Sequence, residues 1–302
     1  MILLFENLVD GTLAFYPIHY PNPNTQIHMT EDTNLQIQAL EQANPLREPA
    51  LKAVIATLQL SPGSRGLDIG CGIGLQTLLL AEVIQPDGHV TGLDISPELI
   101  AYAQQKISAS PFAERITFKE GDMSCLPFED NAFDWAWSAD CVGYPGGDIL
   151  PVLREITRVV RPGGTFALLG WTSQQVLPGY TMLEARLNAT CSAYEPWLRG
   201  IPPEAHFQRA GRWFPQAGIE KMTCRSFIGE VQAPIKPEIR IAMTSLFEML
   251  WSRPPGEEAQ ADWLEYERLC RSDSPDFILD IPEYYAFFTF TMFSGTVELD
   301  IK

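Results

Sequence analysis

The segment running from Ser64 to Gly74, Ser-Arg-Gly-Leu-Asp-Ile-Gly-Cys-Gly-Ile-Gly, constrains this chain more than any other. Gly66 to Ile69 reads as the end of a short buried strand, and Gly70, Gly72 and Gly74 as a turn. Leu75, Leu78, Leu79 and Val83 then recur at helical spacing. Strand, glycine turn and helix in that order suit several nucleotide-type ligands. Glycine there admits positive φ and close approach of a ligand to the backbone, and the helix start offers unpaired N–H groups. A dinucleotide site wants G-x-G-x-x-G, whereas Leu75 stands where the third glycine would fall. Asp68, just ahead of the turn, would repel a pyrophosphate and suits a ligand bearing an ammonium or sulfonium group.

The rest of the first half repeats the same alternation. His89–Asp94 reads as a second strand, with Ser96-Pro97 capping the helix that follows. Ile116–Phe118 is a third strand running into Gly121-Asp122-Met123, and Phe133–Ser138 a fourth. A helix from Gly147 presents Ile149, Val152, Leu153, Ile156, Val159 and Val160 on one face. Arg161-Pro-Gly-Gly164 stops it before a fifth strand, Thr165–Leu169. Strands alternating with helices imply right-handed crossovers and a parallel sheet. In such a sheet ligands sit beyond the carboxyl ends of the strands. Asp94, Asp122 and Ser138-Ala139-Asp140 all fall there, beside the glycine turn.

These residues resemble a known family. Leu67 to Gly74, Asp94, Gly121-Asp122-Met123 and Leu153 to Gly164 are similar to the motifs of class I S-adenosylmethionine-dependent methyltransferases, of the small-molecule type found in ubiquinone and menaquinone biosynthesis (methyltransferase type 11). The resemblance covers about residues 50–171. It implies an α/β fold: a Rossmann-like, seven-stranded, mostly parallel sheet with an antiparallel last strand, helices on both faces, and helical cap insertions. It implies S-adenosyl-L-methionine as cofactor and S-adenosyl-L-homocysteine as product. Carried over by position, Gly70, Cys71, Gly72 and Gly74 would cradle the cofactor, with Asp68 near its amino group. Asp94 would take the ribose hydroxyls, Ile95 would flank the adenine, and Asp122 and Met123 would meet the base. Ser138 and Ala139 would border the methionine end.

For a general base, Asp140 lies nearest the expected methyl group; His19, His28 and His206 are further candidates, and Tyr16, Tyr20 and Tyr144 could line the pocket. No Asn/Asp-Pro-Pro-Tyr run follows strand four, so the nucleic-acid and amide methylating branches do not fit. Gly170-Trp171-Thr172 after strand five lacks the acid–amide pair of the metal-dependent branch, so no metal site is expected.

Residues 1–45 read as an irregular N-terminal segment, its Tyr16–Asn24 stretch either a surface wrap or an active-site flap, and 46–302 as one methyltransferase domain. Cap insertions are expected at about 172–203 and 231–283, with the last two strands near 222–230 and 284–295 and a helix over 204–217. The insertions carry Trp171, Tyr180, Met182, Tyr194, Trp197, Trp213, Met243, Phe247 and Trp251. That content points to a hydrophobic or aromatic small-molecule acceptor, methylated on O, C or N. A silent SAM-binding sensor or scaffold is the alternative reading. Cys125, Cys141, Cys191, Cys224 and Cys270 keep a thiol or arsenite-type acceptor as a remote one.

Composition narrows the partners. A net charge of -17, from 21 Lys+Arg against 38 Asp+Glu, disfavours nucleic acid and anionic membrane surfaces. No apolar run reaches the length of a membrane span, and Glu6 interrupts the N-terminus where a signal sequence would be apolar. Six scattered cysteines without a C-x-x-C pair suit a reducing compartment, so a cytoplasmic enzyme is expected, with homodimerisation left open.

Overall fold

Short apolar runs bounded by glycine or proline build the sheet. The computed structural model describes residues 31–144, 146–189, 199–251 and 260–299, with the backbone of a short pairing between Glu6–Asn7 and Leu13–Ala14. The sheet has seven strands: β1 (Arg65–Ile69), β2 (His89–Asp94), β3 (Ile116–Glu120), β4 (Phe133–Ala139), β5 (Val160–Gln175), β6 (Ile219–Gln232) and β7 (Tyr285–Val297). Their spatial order is β3-β2-β1-β4-β5-β7-β6. The first five strands pair in parallel, and β7 is antiparallel to both β5 and β6. Strand order reverses between β1 and β4, which is where a ligand crevice opens in such a sheet.

Side chains alternate across the sheet. Trp135, Trp137, Ala167 and Leu169 face one layer, with helices α1 (Glu31–Thr57), α2 (Leu75–Val83), α7 (Pro237–Leu250) and α8 (Gln260–Cys270). Phe133, Ala136, Phe166 and Leu168 face the other, with α4 (Leu150–Val159) and α6 (Ala210–Gln216). The remaining helices are α3 (Pro97–Ile107), capped by Ser96, whose Oγ accepts from the Leu99 N–H, and α5 (Thr181–Asn188).

Three elements differ from the sequence reading. Residues 31–45 are helical, not irregular: α1 runs unbroken through Pro45 and Pro49. Each proline removes one backbone donor, but tertiary packing outweighs that loss. Leu46, Leu51, Val54 and Ile55 are buried against the sheet. Glu41 accepts from Tyr102 and Lys106 of α3, and the Gln42 side chain accepts from Ser245 of α7. Strand β5 extends well past Leu169 to Gln175, because β7 offers it a partner along that whole length. The single helix expected over 204–217 is two short 3₁₀ turns, Pro203–Ala205 and Phe207–Arg209, followed by α6.

Candidate active site

The glycine turn leaves β1 with Gly70 at φ +75°. A Cβ there would stand 2.3 Å from Cys141 Sγ, so only glycine fits. Gly74 caps α2 in the left-handed conformation, packed against Phe118 and Ile107. Asp94, at the end of β2, holds this turn from the side. Its Oδ2 accepts from the Gly72 N–H at 2.9 Å and its Oδ1 from the Ser96 N–H at 3.0 Å. Burial raises its pKa, against those N–H bonds. Asp68 lies behind the turn, almost wholly buried, with Thr77 Oγ1 donating to its Oδ2 at 2.6 Å. Burial pushes the Asp68 carboxyl up to about 7. Among the described residues neither carboxylate is hydrogen-bonded to a basic side chain.

A cavity of about 50 Å³ lies over the turn. Gly70, Cys71, Gly72, Asp94 and Ala139 line it from the sheet side, with Leu75 and Leu99 beside them. A second, much larger cavity of about 870 Å³ opens between α1, α7 and α8, with Asp140 and Trp171 among its lining. Helix α1 divides the two. Its residues Gln36, Leu40, Asn44, Arg47 and Leu51, spaced as one helical stripe, line the small cavity. The neighbouring stripe of Leu35, Ala39, Gln42 and Leu46 lines the large one. Gln36, Leu40 and Arg47 line both.

At this wall the Arg47 guanidinium pairs through Nη2 with Asp140 Oδ2. Asp140 Oδ1 accepts from the Trp171 N–H at 2.8 Å, and Arg47 Cζ lies 5.7 Å from the Phe290 ring centroid. Asp140 itself adopts φ +50°, directly after β4. The carboxylate therefore lies in the expected place, but with both oxygens engaged.

The structure sorts the residues singled out from sequence. Gly70, Cys71, Gly72, Asp94 and Ala139 converge on the small cavity. Gly74 shapes the turn without lining that cavity, and Asp68 stands behind it. Ile95, Asp122 and Met123 do not line it: Asp122 accepts from the Ser124 N–H and hydroxyl, and Met123 packs on the opposite core layer. The Ser138 side chain is engaged within the sheet. Its hydroxyl is fully buried, donates to the Ile69 carbonyl and accepts from the Val142 N–H, so it pins β4 to β1.

Tyr144 donates to the Trp171 carbonyl, and His206 accepts from the Gln208 N–H; neither lines either of these two cavities. His19, His28, Tyr16, Tyr20, Cys191, Tyr194 and Trp197 lie outside the described residues. Of the apolar set expected over the site, Trp171 and Trp251 line the large cavity. Met243 and Phe247 are core, Trp213 is core on the other face, and Tyr180 and Met182 are exposed. Sequence reasoning missed Gln36, Leu40, Arg47, Met249, Trp263 and Tyr266.

The donor set fits S-adenosylmethionine. Glycines without Cβ allow close approach, Asp94 presents a carboxylate beside them, Leu40, Leu75 and Leu99 supply apolar packing, and the carboxylates suit a cationic ligand.

Comparison with known proteins points the same way. Residues 67–164 match the family model described as a methyltransferase domain. The chain is 31% identical over 200 residues to demethylmenaquinone methyltransferase of Staphylococcus aureus, covering 60% of this chain and 78% of that protein. It is 29% identical over 205 residues to the enzyme of that name from Bacillus cytotoxicus, covering 62% and 84%. Among solved structures, the YcgJ protein of Bacillus subtilis superposes with TM-score 0.53 at 17% identity, covering 83% of this chain and 99% of that one. A Haemonchus contortus phosphoethanolamine N-methyltransferase gives 0.54 at 18%, covering 89% and 58%. The last two show the shared fold.

Proposed function

This chain belongs to the class I S-adenosylmethionine-dependent methyltransferases of the menaquinone- and ubiquinone-biosynthesis type, and we propose that its acceptor is a hydroxylated aromatic small molecule of quinol type. The observation that carries this reading is the large cavity beside the cofactor turn, apolar along Leu46, Leu246, Met249, Trp251 and Trp263. A volume of about 870 Å³ suits a fused aromatic ring with an apolar substituent. Relatives of this chain are named for the methylation of demethylmenaquinone.

In this reading Gly70 and Gly72 lie against the methionine and ribose parts of the cofactor, and Asp94 receives the ribose hydroxyls. Asp68 stands behind the turn, hydrogen-bonded to Thr77, and Asp122 and Met123 border the adenine. When bound, the cofactor supplies an electrophilic methyl carbon on sulfur; the acceptor's electron pair forms the new bond and the carbon–sulfur pair stays on sulfur. The chain's own contribution is alignment and exclusion of water. Leu40 and Arg47 stand at the boundary the methyl group would cross, while Trp171 and Asp140 border the acceptor's side.

The test is turnover to S-adenosylhomocysteine with a panel of naphthoquinols, benzoquinols, simple phenols and aliphatic amines. Methylation of quinols above the others is the expected result. Preference for the amines, with quinols inert, would overturn the acceptor assignment.

A further inference from the structure

Trp171 and Trp251 both line the large cavity, and their indole N–H groups are held by the same pair of side-chain amides. Trp171 Nε1 donates to Gln174 Oε1 at 2.8 Å. Gln174 Nε2 donates to Asn188 Oδ1 at 3.2 Å, and Trp251 Nε1 donates to that same oxygen, also at 3.2 Å. Neither Gln174 nor Asn188 lines the cavity. The relay therefore runs behind the wall. It joins the far end of β5, the end of α5 and the residue that follows α7. A buried indole N–H needs an acceptor, and here one amide pair supplies both and fixes both rings together.

The same rings are supported from outside the cavity. Phe288 stacks on Trp171 with 4.5 Å between centroids and 8° between planes. Phe247 lies parallel to Trp251 at 6.2 Å and 11°, and Tyr266 meets Trp251 edge-on at 5.9 Å. Phe247 and Phe288 do not line the cavity. With their N–H groups turned outward and one face of each covered, the two indoles meet the cavity through carbon surface.

We propose that Gln174 and Asn188 are positioning residues for the acceptor: by holding Trp171 and Trp251 they shape an aromatic slot that selects a flat ring over a puckered ring of the same size. This rests on the reading of the large cavity as the acceptor site and adds what selects within it. Aromatic rings attract one another beyond the area they bury, whereas a saturated ring gains the area alone. Both indole donors are spent on the relay, so this wall selects by shape and not by hydrogen bonding.

The test compares two probes on the protein saturated with S-adenosylhomocysteine at neutral pH. One is 2-naphthol. The other is decahydro-2-naphthol, which keeps the carbon skeleton and the hydroxyl but loses the flat ring. Affinities are read by calorimetry. The native chain should prefer 2-naphthol by about tenfold. Asn188→Leu and Gln174→Met, close in volume to the residues they replace, should bring that ratio to within about twofold of one. Asn188→Asp keeps the oxygen that both donors use and should retain most of the preference. Affinity for S-adenosylhomocysteine should be native in all three, since neither position lines the cofactor cavity. A variant that no longer binds it is unfolded, and Asn188→Ala or Gln174→Ala, which remove the same bonds without adding apolar bulk, takes its place.

A native ratio near one would overturn the assignment, as would failure of the native chain to bind 2-naphthol. So would folded variants that keep the native ratio, or that lose both probes equally, because the amides would then serve only the packing of the fold. A ratio that depends on the relay, with no quinol methylated, leaves the slot standing and sinks the quinol reading. Quinol turnover with a ratio indifferent to the relay does the reverse.

Discussion

Arg47 and Asp140, 93 residues apart in the chain, form the ion pair that ties α1 to the end of β4. Each has a second tether: Asp140 accepts from the Trp171 N–H, and Arg47 stands over the Phe290 ring. Three strands and one helix therefore meet through two side chains.

Removing one partner strands the other. Asp140→Ala leaves a largely buried guanidinium without its counter-charge, so a loss of about 3 kcal/mol in urea unfolding is expected. Asp140→Asn still accepts from Trp171 and should lose less. Its single-turnover methyl transfer should fall by less than about tenfold, short of the 10²–10⁴ that a general base contributes. A larger fall in a folded variant would restore Asp140 as the base.

Gly70 and Gly72 should respond differently to alanine. At Gly70 the new methyl would collide with Cys141, so Gly70→Ala should unfold or fail to accumulate. At Gly72 the nearest side-chain atom is Leu40 Cδ1 at 3.7 Å, an ordinary contact. Gly72→Ala should stay folded with about 1–2 kcal/mol of backbone strain and bind S-adenosylhomocysteine more weakly. Circular dichroism and calorimetry separate the two outcomes.

Asp94→Ala deprives the Gly72 and Ser96 N–H groups of their acceptor and removes the carboxylate from the cavity. S-adenosylhomocysteine affinity should fall by at least about tenfold, or ~1.4 kcal/mol, with the fold retained. Unchanged affinity would remove Asp94 from the cofactor site.

Asp68 sets a pH dependence. Burial lifts its pKa from the ordinary 3.8 to about 7, with Thr77 opposing and Asp94 adding to the rise. The folded chain thus holds this proton to higher pH than the unfolded chain does. The stability it contributes is full below the unfolded value and is lost as pH rises through about 7. Urea midpoints of the native chain should fall relative to Asp68→Asn between about pH 4 and pH 8. A constant difference across that range would refute it.

How far the sequence reveals this site depends on whether its residues are local. The turn from Asp68 to Gly74 is legible because the backbone conformations and the helix start are neighbours in sequence, and strand ends place Asp94 and Ala139 by topology alone. Arg47 and Gln36 are not legible. Nothing near them marks them, and Pro45 and Pro49 suggest a boundary where tertiary packing sustains one helix. At Ser138 a strand-end position does not fix where the side chain points. It sits at the right strand end, but its side chain turns inward to Ile69 and Val142.

Because adjacent stripes of α1 serve the two cavities, what each cavity presents is fixed by angular phase. A residue inserted between Leu40 and Arg47 rotates everything on one side of it by about 100° relative to the other. Arg47 would then leave the wall while Gln36 and Leu40 stayed, although no residue of either cavity had been replaced. Ordinary surface helices drift in phase without consequence. Here the interval from Gln36 to Arg47 is a fixed count, and the chain can change its acceptor by substitution along α1 far more readily than by changing the length of that interval.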